Sequence, residues 1–280
     1  MSELRQYSDT LTAEINGKGV LDIDIVKGCA LGMAARPNGG CYNACYASTI
    51  AKFRGIDFGK SVVRKVHNKT QAKHIENAVK NSPDGFFRVG TMGDPCHAWG
   101  ATVDLIEWLA PFGVPVIITK HWKKASDAQF RALIACGTIL NTSLSALDTP
   151  AELKHREKQM VRYTVLGGVS IARIVSCEFD RAHPEGEKMA AVQDRLFLLP
   201  NILDNPLRVY RTHELVRRGV LKVDVALDLK TKRTISIFKK DTYLGHCNAC
   251  PDKCGLSSSP TNHPRPEQRQ KKLFETNAAV

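Results

Sequence analysis

Two periodicities alternate along this chain. Apolar runs that are unbroken or of period two read as strands at Val20–Val26 (VLDIDIV), Phe86–Met92 (FFRVGTM), Val114–Lys120 (VPVIITK), Thr138–Ser145 (TILNTSLS) and Val169–Cys177 (VSIARIVSC). Weaker signals of the same kind lie at Leu207–Arg211 (LRVYR) and Val223–Leu227 (VDVAL). Between the runs, amphipathic stretches at Ser61–Asn81, Thr102–Phe112, Ala125–Ala135, Thr149–Leu166 and Gly186–Leu199 read as helices. Thr149-Pro150-Ala151-Glu152 is a helix start, with Thr as N-cap, Pro in the first turn and an acid facing the helix dipole. Strand followed by helix, repeated, predicts an α/β fold around a parallel sheet, flat or curled into a partial or full barrel.

The alternation stops after Phe238. We read residues 1–19 as an N-terminal extension, 20–238 as the α/β core, 239–256 as a small cysteine-rich lobe and 257–280 as a disordered basic tail.

Composition narrows the class. With 280 residues, 43% hydrophobic and 24% charged, the chain can bury a large core, so disorder throughout is excluded. The absence of a long apolar run predicts a soluble, cytoplasmic protein without a membrane partner. In a reducing compartment the nine cysteines are not expected to form disulfides, and they cluster: Cys29, Cys41 and Cys45 early, Cys247, Cys250 and Cys254 late. A net charge of +12 attracts polyanions, and the runs Lys120–Lys124, Arg208–Arg211, Arg217–Arg218 and Lys230–Arg233 offer phosphate contacts, the first two with aromatics between the cations. Such runs equally serve as solvated faces.

In parallel α/β folds, reactive groups gather in loops at the carboxyl ends of the strands. By that rule Cys29, the loop Gly93-Asp94-Pro95-Cys96-His97, Lys120-His121-Trp122, Ser143 with Ser145, and Cys177 share one rim. Three thiolates in one glycine-rich loop fit a 4Fe-4S cluster with one iron left open. A structural zinc site lacking an obvious fourth ligand, and reduced cysteines packed as small hydrophobes, are the alternatives. Cys136, in the apolar stretch ALIACG, reads as core.

Three loop cysteines after the first strand, the glycine-containing loop VGTMGDP after the second, the serine-bearing strand NTSLSALDTPAEL and the arginine in IARIVS together resemble the radical S-adenosylmethionine (radical SAM) superfamily. Cys45-Tyr46-Ala47 and the GDP segment are similar to its phage and mobile-element members. The match spans roughly Val20 to Val225. The gaps of eleven and three residues between the thiols are longer than the family's usual spacing, and Cys96 is a substitute ligand on that account.

The resemblance implies a partial (β/α) six-stranded, TIM-like barrel. It also implies an enzyme whose cluster, on Cys29, Cys41 and Cys45, chelates S-adenosylmethionine and cleaves it reductively to a 5'-deoxyadenosyl radical that abstracts hydrogen. Gly90 and Gly93 would let backbone approach the methionine moiety, with Asp94 taking its ammonium. Arg173 would pair with the carboxylate, aided by Ser143 or Ser145, and Tyr46 would contact the adenine. Cys177 would be a substrate contact or hydrogen-atom donor, unless it is plain packing.

A reducing partner such as flavodoxin or ferredoxin follows from the same resemblance. The expected substrate is nucleic acid or a nucleotide, with a peptide or small metabolite as alternatives. The late motif, Cys-x2-Cys-x3-Cys at Cys247, Cys250 and Cys254, predicts a second 4Fe-4S cluster or zinc, with His246 or distant Cys96 as fourth ligand. A competing class is a zinc-stabilised nucleic-acid-binding protein without catalysis.

Overall fold

The computed structural model describes residues 4–16, 19–36, 40–207, 209, 211–222, 227–228, 233–234 and 253–258. Cys247, Cys250, His246, the run Arg208–Arg211 in part, and the tail from 259 onward lie outside the described residues.

The chain runs through β1 (Glu14–Ile15), β2 (Leu21–Asp22), β3 (Val26–Lys27), α1 (Ala30–Ala35), α2 (Tyr46–Phe53), β4 (Val62–Val63), α3 (Lys69–Lys80), β5 (Phe86–Val89) and α4 (Trp99–Leu109). It continues through β6 (Val114–Thr119), α5 (Asp127–Ala135), β7 (Ile139–Leu144), α6 (Pro150–Val165), β8 (Val169–Ile174), α7 (Pro184–Leu196), β9 (Ile202–Asp204) and α8 (Glu214–Arg217). A separate antiparallel pair, β10 (Leu227–Asp228) with β11 (Arg233–Thr234), follows. The result is an α/β fold with a seven-stranded sheet in the order β1-β2-β5-β6-β7-β8-β9, parallel except for β1 on the edge.

Because the parallel strands lie in chain order and right-handed crossovers are the rule, successive helices fall on one side of the sheet. The packing bears this out: Phe87, Val89, Ile117 and Leu140 meet residues of α3, α4, α5 and α6 in one core cluster, and Leu144, Ala172 and Ile174 meet α6 and α7 in another. β6 and β7 are buried almost throughout, which is why they read as near-continuous apolar runs.

The opposite face is layered along the strands. Toward the amino ends it is apolar, formed by Phe86, Val114, Val116, Ile139, Ile171 and Leu203, and Cys254 with Leu256 packs against it. Further along, the register places Asp22 beside Arg88 and Ser143 beside Arg173 on that same face.

Several expectations are corrected. The VLDIDIV run is not one strand: β2 joins the sheet, while β3 turns away to pair with β4, drawn by the Asp24 side chain and by the Arg64 amide bonding Ile25 O at 2.8 Å. Among the described residues the last strand of this sheet is β9 at Ile202–Asp204, which pairs with the Ala172–Ile174 backbone; of Leu207–Arg211, the described Leu207, Val209 and Arg211 lie outside any strand. Of Val223–Leu227, only Leu227 is described, and it lies in β10. Helix α3 begins only after Asn68, whose side chain accepts from the Gln71 amide; Ser61–Val66 is extended. The cysteine loop contains two helices, α1 and α2, that its glycine content hid. Part of the N-terminal extension belongs to the core, since Leu11 is buried and β1 covers the edge of β2. The predicted capping box at α6 is formed, with Thr149 and Glu152 exchanging side-chain to backbone bonds.

Candidate functional site

Glycine brings the thiol loop and the loop after β5 into backbone contact. Gly28 and Gly93 form a parallel bridge, and a Cβ on Gly93 would lie 2.8 Å from Gly28 O and 2.5 Å from Val26 O. Asp24 fastens the same junction, its carboxylate accepting from the amides of Gly90, Thr91 and Met92 and from the Thr91 hydroxyl, all within 2.9 Å. The loop is therefore rigidly seated over the carboxyl ends of the strands.

The sulfurs converge around two glycines. A Cβ on Gly32 would meet Cys29 Sγ at 2.7 Å, Cys41 Sγ at 3.6 Å and Trp122 Nε1 at 3.6 Å. One on Gly40 would meet Met33 Sδ at 3.3 Å and Cys45 Sγ at 3.6 Å. Cys29 and Cys45 pack in one small apolar cluster with Ala47, Met33 and Trp122. Burial holds the Cys29 thiol well above its ordinary range, with Asp94, Cys41 and Cys45 adding to the effect. Burial pushes the Cys41 thiol up to about 11, opposed by Lys120. Protons held this firmly leave when thiolates bind a metal, because the metal replaces them as the positive partner. Among the described residues, no three His, Cys, Asp or Glu side chains gather as the ligand set of one metal ion.

His97 Nε2 lies 3.4 Å from Cys29 Sγ, and its other nitrogen lies 3.4 Å from Ser61 Oγ, which accepts from the Ala30 amide. Burial lowers the His97 pKa. With its thiol pushed up and its imidazole pushed down, the pair is neutral and is not an activated thiolate nucleophile.

Next to the thiols lies a buried charged group that sequence reasoning missed. Asp148 faces Arg156 Nη1 at 2.5 Å and Lys120 Nζ at 3.5 Å, and accepts from the Tyr42 hydroxyl at 3.3 Å. Lys120 also bonds the Tyr42 hydroxyl and sits 3.5 Å from the centre of its ring. Two basic side chains face one carboxylate beside Cys41; burial lowers the Lys120 pKa, and Asp148 opposes that shift. Tyr42, in the left-handed region at φ 60°, is locked in place by its bonds to Asp148 and Lys120; His213 adds a bond to its carbonyl, and Arg36 ties the loop to Glu152 at 2.9 Å. The available signals were Lys120 ending an apolar strand and Asp148 just before a helix cap.

The other expected site residues fall as follows. Tyr46 heads α2 and donates its hydroxyl to Thr91 O while its ring stays 59% exposed on the rim. Gly90, at φ 105°, leaves no room for a side chain against Ile118 O. Asp94 does not face outward: it accepts from the Cys96 amide, Thr119 Oγ1 and the Lys120 amide, and so pins the β5 loop to the end of β6. Ser145 is likewise committed, donating to Val175 O at 2.7 Å. Ser143 and Arg173 are register neighbours, and Arg173 donates to Asn205 Oδ1 at 2.7 Å.

Cys177 is buried among Ala146, Phe179, Ala190, Val209 and Leu221, its backbone clamped by Gln193. Cys136 ends α5 and packs against the main core. Cys96 is fully buried in the helix-side core, whereas Cys254 lies on the other face of the sheet, so the structure does not bring these two together. Among the described residues no helix is long and apolar enough to cross a membrane.

Compared with protein-family models, curated proteins and solved structures, the chain finds no match in any of the three.

Proposed function

We propose that this protein is a radical SAM iron-sulfur enzyme, with the sheet forming the partial (β/α) barrel of that superfamily. The observation that carries the reading is the convergence of Cys29, Cys41 and Cys45 around Gly32 and Gly40, in a loop seated on the carboxyl ends of strands that lie in chain order.

The donor set suits a cluster better than one ion. A tetrahedral zinc, about 2.3 Å from each sulfur, would draw the thiolates into mutual contact, whereas a four-iron cluster would take each on a separate iron. Trp122 supports the same reading: its indole N–H is buried, has no hydrogen-bond partner, and sits where Gly32 leaves space beside two sulfurs. A buried donor without an acceptor costs about 1–3 kcal/mol, and a thiolate or sulfide supplies the acceptor. The two basic side chains of the Lys120, Arg156 and Asp148 group complement an anionic centre held by three thiolates.

When bound and reduced, such a cluster supplies one electron to the sulfonium of S-adenosylmethionine, releasing a 5'-deoxyadenosyl radical. The chain's residues do the rest. Asp24 and Gly93 hold the β5 loop against the thiol loop, and Asp94 pins it to the end of β6. Arg173 and Ser143, on the polar stretch of the inner face, bind carboxylate and ammonium groups, and Tyr46 presents a ring on the rim. A flavodoxin or ferredoxin serves as reductant, and a second cluster or zinc on Cys247 and Cys250 takes ligands other than Cys254, whose neighbours are Phe86, Val116 and Ile139.

The test is anaerobic purification and reconstitution, iron, sulfide and zinc analysis, and an assay for 5'-deoxyadenosine on reduction with S-adenosylmethionine. Bound iron and sulfide with deoxyadenosine released supports the enzyme; zinc alone, with none released, overturns it in favour of a metal-stabilised binding protein.

A further inference from the structure

Helix α2 presents an apolar stripe to solvent. Tyr46, Ile50 and Phe53 are 59%, 37% and 92% exposed, and their spacing puts them along one face about 10 Å long. Phe53 ends the stripe at an open groove of about 500 Å³ formed with Arg5, Gln6, Tyr7, Arg54 and Ile56. Arg5, Lys52, Arg54 and Lys60 are exposed around it. From residue 40 to 60 the sole carboxylate is Asp57, which is half-buried and accepts from the Gly59 amide of its own turn. The groove also shares a wall with the thiol loop, because Tyr7 lines it and packs in the cluster that contains Cys29 and Cys45.

We infer that the groove beside Phe53 and the stripe along α2 bind single-stranded nucleic acid. Exposed aromatic rings offer stacking platforms that tolerate any base, and cations flanking them follow the phosphates. Arg5, Lys52, Arg54 and Lys60 outnumber the carboxylates within reach of Arg54, Tyr7 and Tyr46, which are Glu14, Asp22 and Asp24, so the patch complements a polyanion better than a basic partner or the basic segment after residue 258. The strand would run from Phe53 toward Tyr46, delivering a nucleotide to the rim. In that last respect the inference rests on the radical-enzyme reading and names its substrate class; the binding itself does not.

The experiment is fluorescence anisotropy of the full chain with a fluorescein-labelled oligothymidylate and, in parallel, an oligouridylate and a duplex. Either single strand is expected to bind more tightly than the duplex. Phe53→Ala is expected to weaken binding about tenfold, the loss of one stacked base. Lys52→Glu with Arg54→Glu is expected to reduce the slope of log affinity against log salt by about 1.4, two phosphate contacts at about 0.7 each. All three positions are exposed, so the fold tolerates the changes.

No binding, or binding that neither variant alters, overturns the inference. Self-association abolished by Phe53→Ala, with no oligonucleotide bound, replaces it with a second copy of the chain as occupant. Iron measured on the same samples keeps the two readings apart. Binding lost while iron and deoxyadenosine formation persist removes the groove alone; binding kept in protein that takes up no iron leaves the groove and removes the radical enzyme.

Discussion

At the carboxyl ends of the strands, Cys29, Cys41 and Cys45 sit among groups with unmet needs: an indole N–H without an acceptor, and two basic side chains sharing one carboxylate. At the amino ends of the sheet face opposite the helices, Cys254 sits in an apolar environment. Its carbonyl accepts from Asn141 at 3.0 Å, Gly255 leaves no room for a Cβ against Ile171, and its neighbours are Phe86, Val116 and Ile139. Cys29 and Cys254 are about equally buried, at 6% and 7% exposed, and Cys41 and Cys45 are half-buried. What separates the two regions is an indole donor with no acceptor beside the early thiols, whereas Cys254 Sγ already has the Arg88 guanidinium as donor at 4.0 Å.

The comparison breaks most sharply at the thiols themselves. Cys41→Ala is expected to abolish 5'-deoxyadenosine formation while unfolding shifts by no more than about 1 kcal/mol, since Tyr42, Arg36 and His213 still hold the loop. Cys254→Ala is expected to do the reverse, keeping activity and losing about 1 kcal/mol of packing. Urea unfolding and the deoxyadenosine assay on both variants decide it. Equal loss of activity would erase the distinction and give Cys254 a part in the chemistry.

The charged group beside Cys41 is next in size. Asp148→Asn removes the nearest counter-charge of Lys120 and Arg156, 8% and 1% exposed, and leaves Arg156 only Glu152, one helical turn away. Removing one partner of a buried ion pair costs about 3–5 kcal/mol. Urea denaturation is expected to show a loss of that order. If bound anionic cluster offsets the excess charge, reconstitution with iron and sulfide will recover part of the loss in Asp148→Asn, and apo protein will not.

How far these regions were legible follows from the kind of signal each emits. Alternation of strand and helix and the Thr149 capping box are local or periodic features, and they emerged. In VLDIDIV the acids Asp22 and Asp24 alternate with apolar residues, which is strand periodicity. Yet Asp24 spends its carboxylate on Gly90, Thr91 and Met92, partners more than sixty positions away. Such a contact has no local trace. The same holds for Asp94, whose turn is readable while its bonds to Thr119 and Lys120 are not, and for Arg156, which reads as a solvated helix residue and is buried against Asp148. α2 stayed hidden because it is only eight residues long and follows a glycine-rich loop.

A smaller effect separates the helix-side core from the thiol face. His121 is fully buried, with rings of Trp99 and Phe130 about 6 Å away, and burial lowers its pKa to about 3 from 6.5. It is neutral in the fold and protonated in the unfolded chain below 6.5, so its contribution is complete above 6.5. That contribution is lost as pH falls toward 3, at up to about 1.4 kcal/mol per unit. His121→Asn, which suits the positive φ of 50°, is expected to lower stability at pH 7 through the lost ring contacts and to flatten the decline between pH 6.5 and 5. Unfolding curves at matched pH values check it; parallel declines in both proteins would show that other groups set the pH dependence.

The finest test concerns Trp122. Replacing Trp122 with its sulfur isostere benzothienylalanine keeps the bicyclic ring against Cys29 and under the Arg156 guanidinium, 4.9 Å from the ring, and removes only the N–H. In the apo protein that N–H has no partner, so its removal is neutral or slightly stabilising to unfolding. With a cluster bound, the lost bond to sulfur disfavours the more negative, reduced state by about 1 kcal/mol, on the order of 40 mV in midpoint potential for one electron. Redox titration followed by electron paramagnetic resonance reads the shift, which must be toward lower potential. The opposite pair of results, an apo protein destabilised by the change and an unmoved potential, would mean that the indole serves packing alone, and that the region around Gly32 is as complete without a cluster as the environment of Cys254.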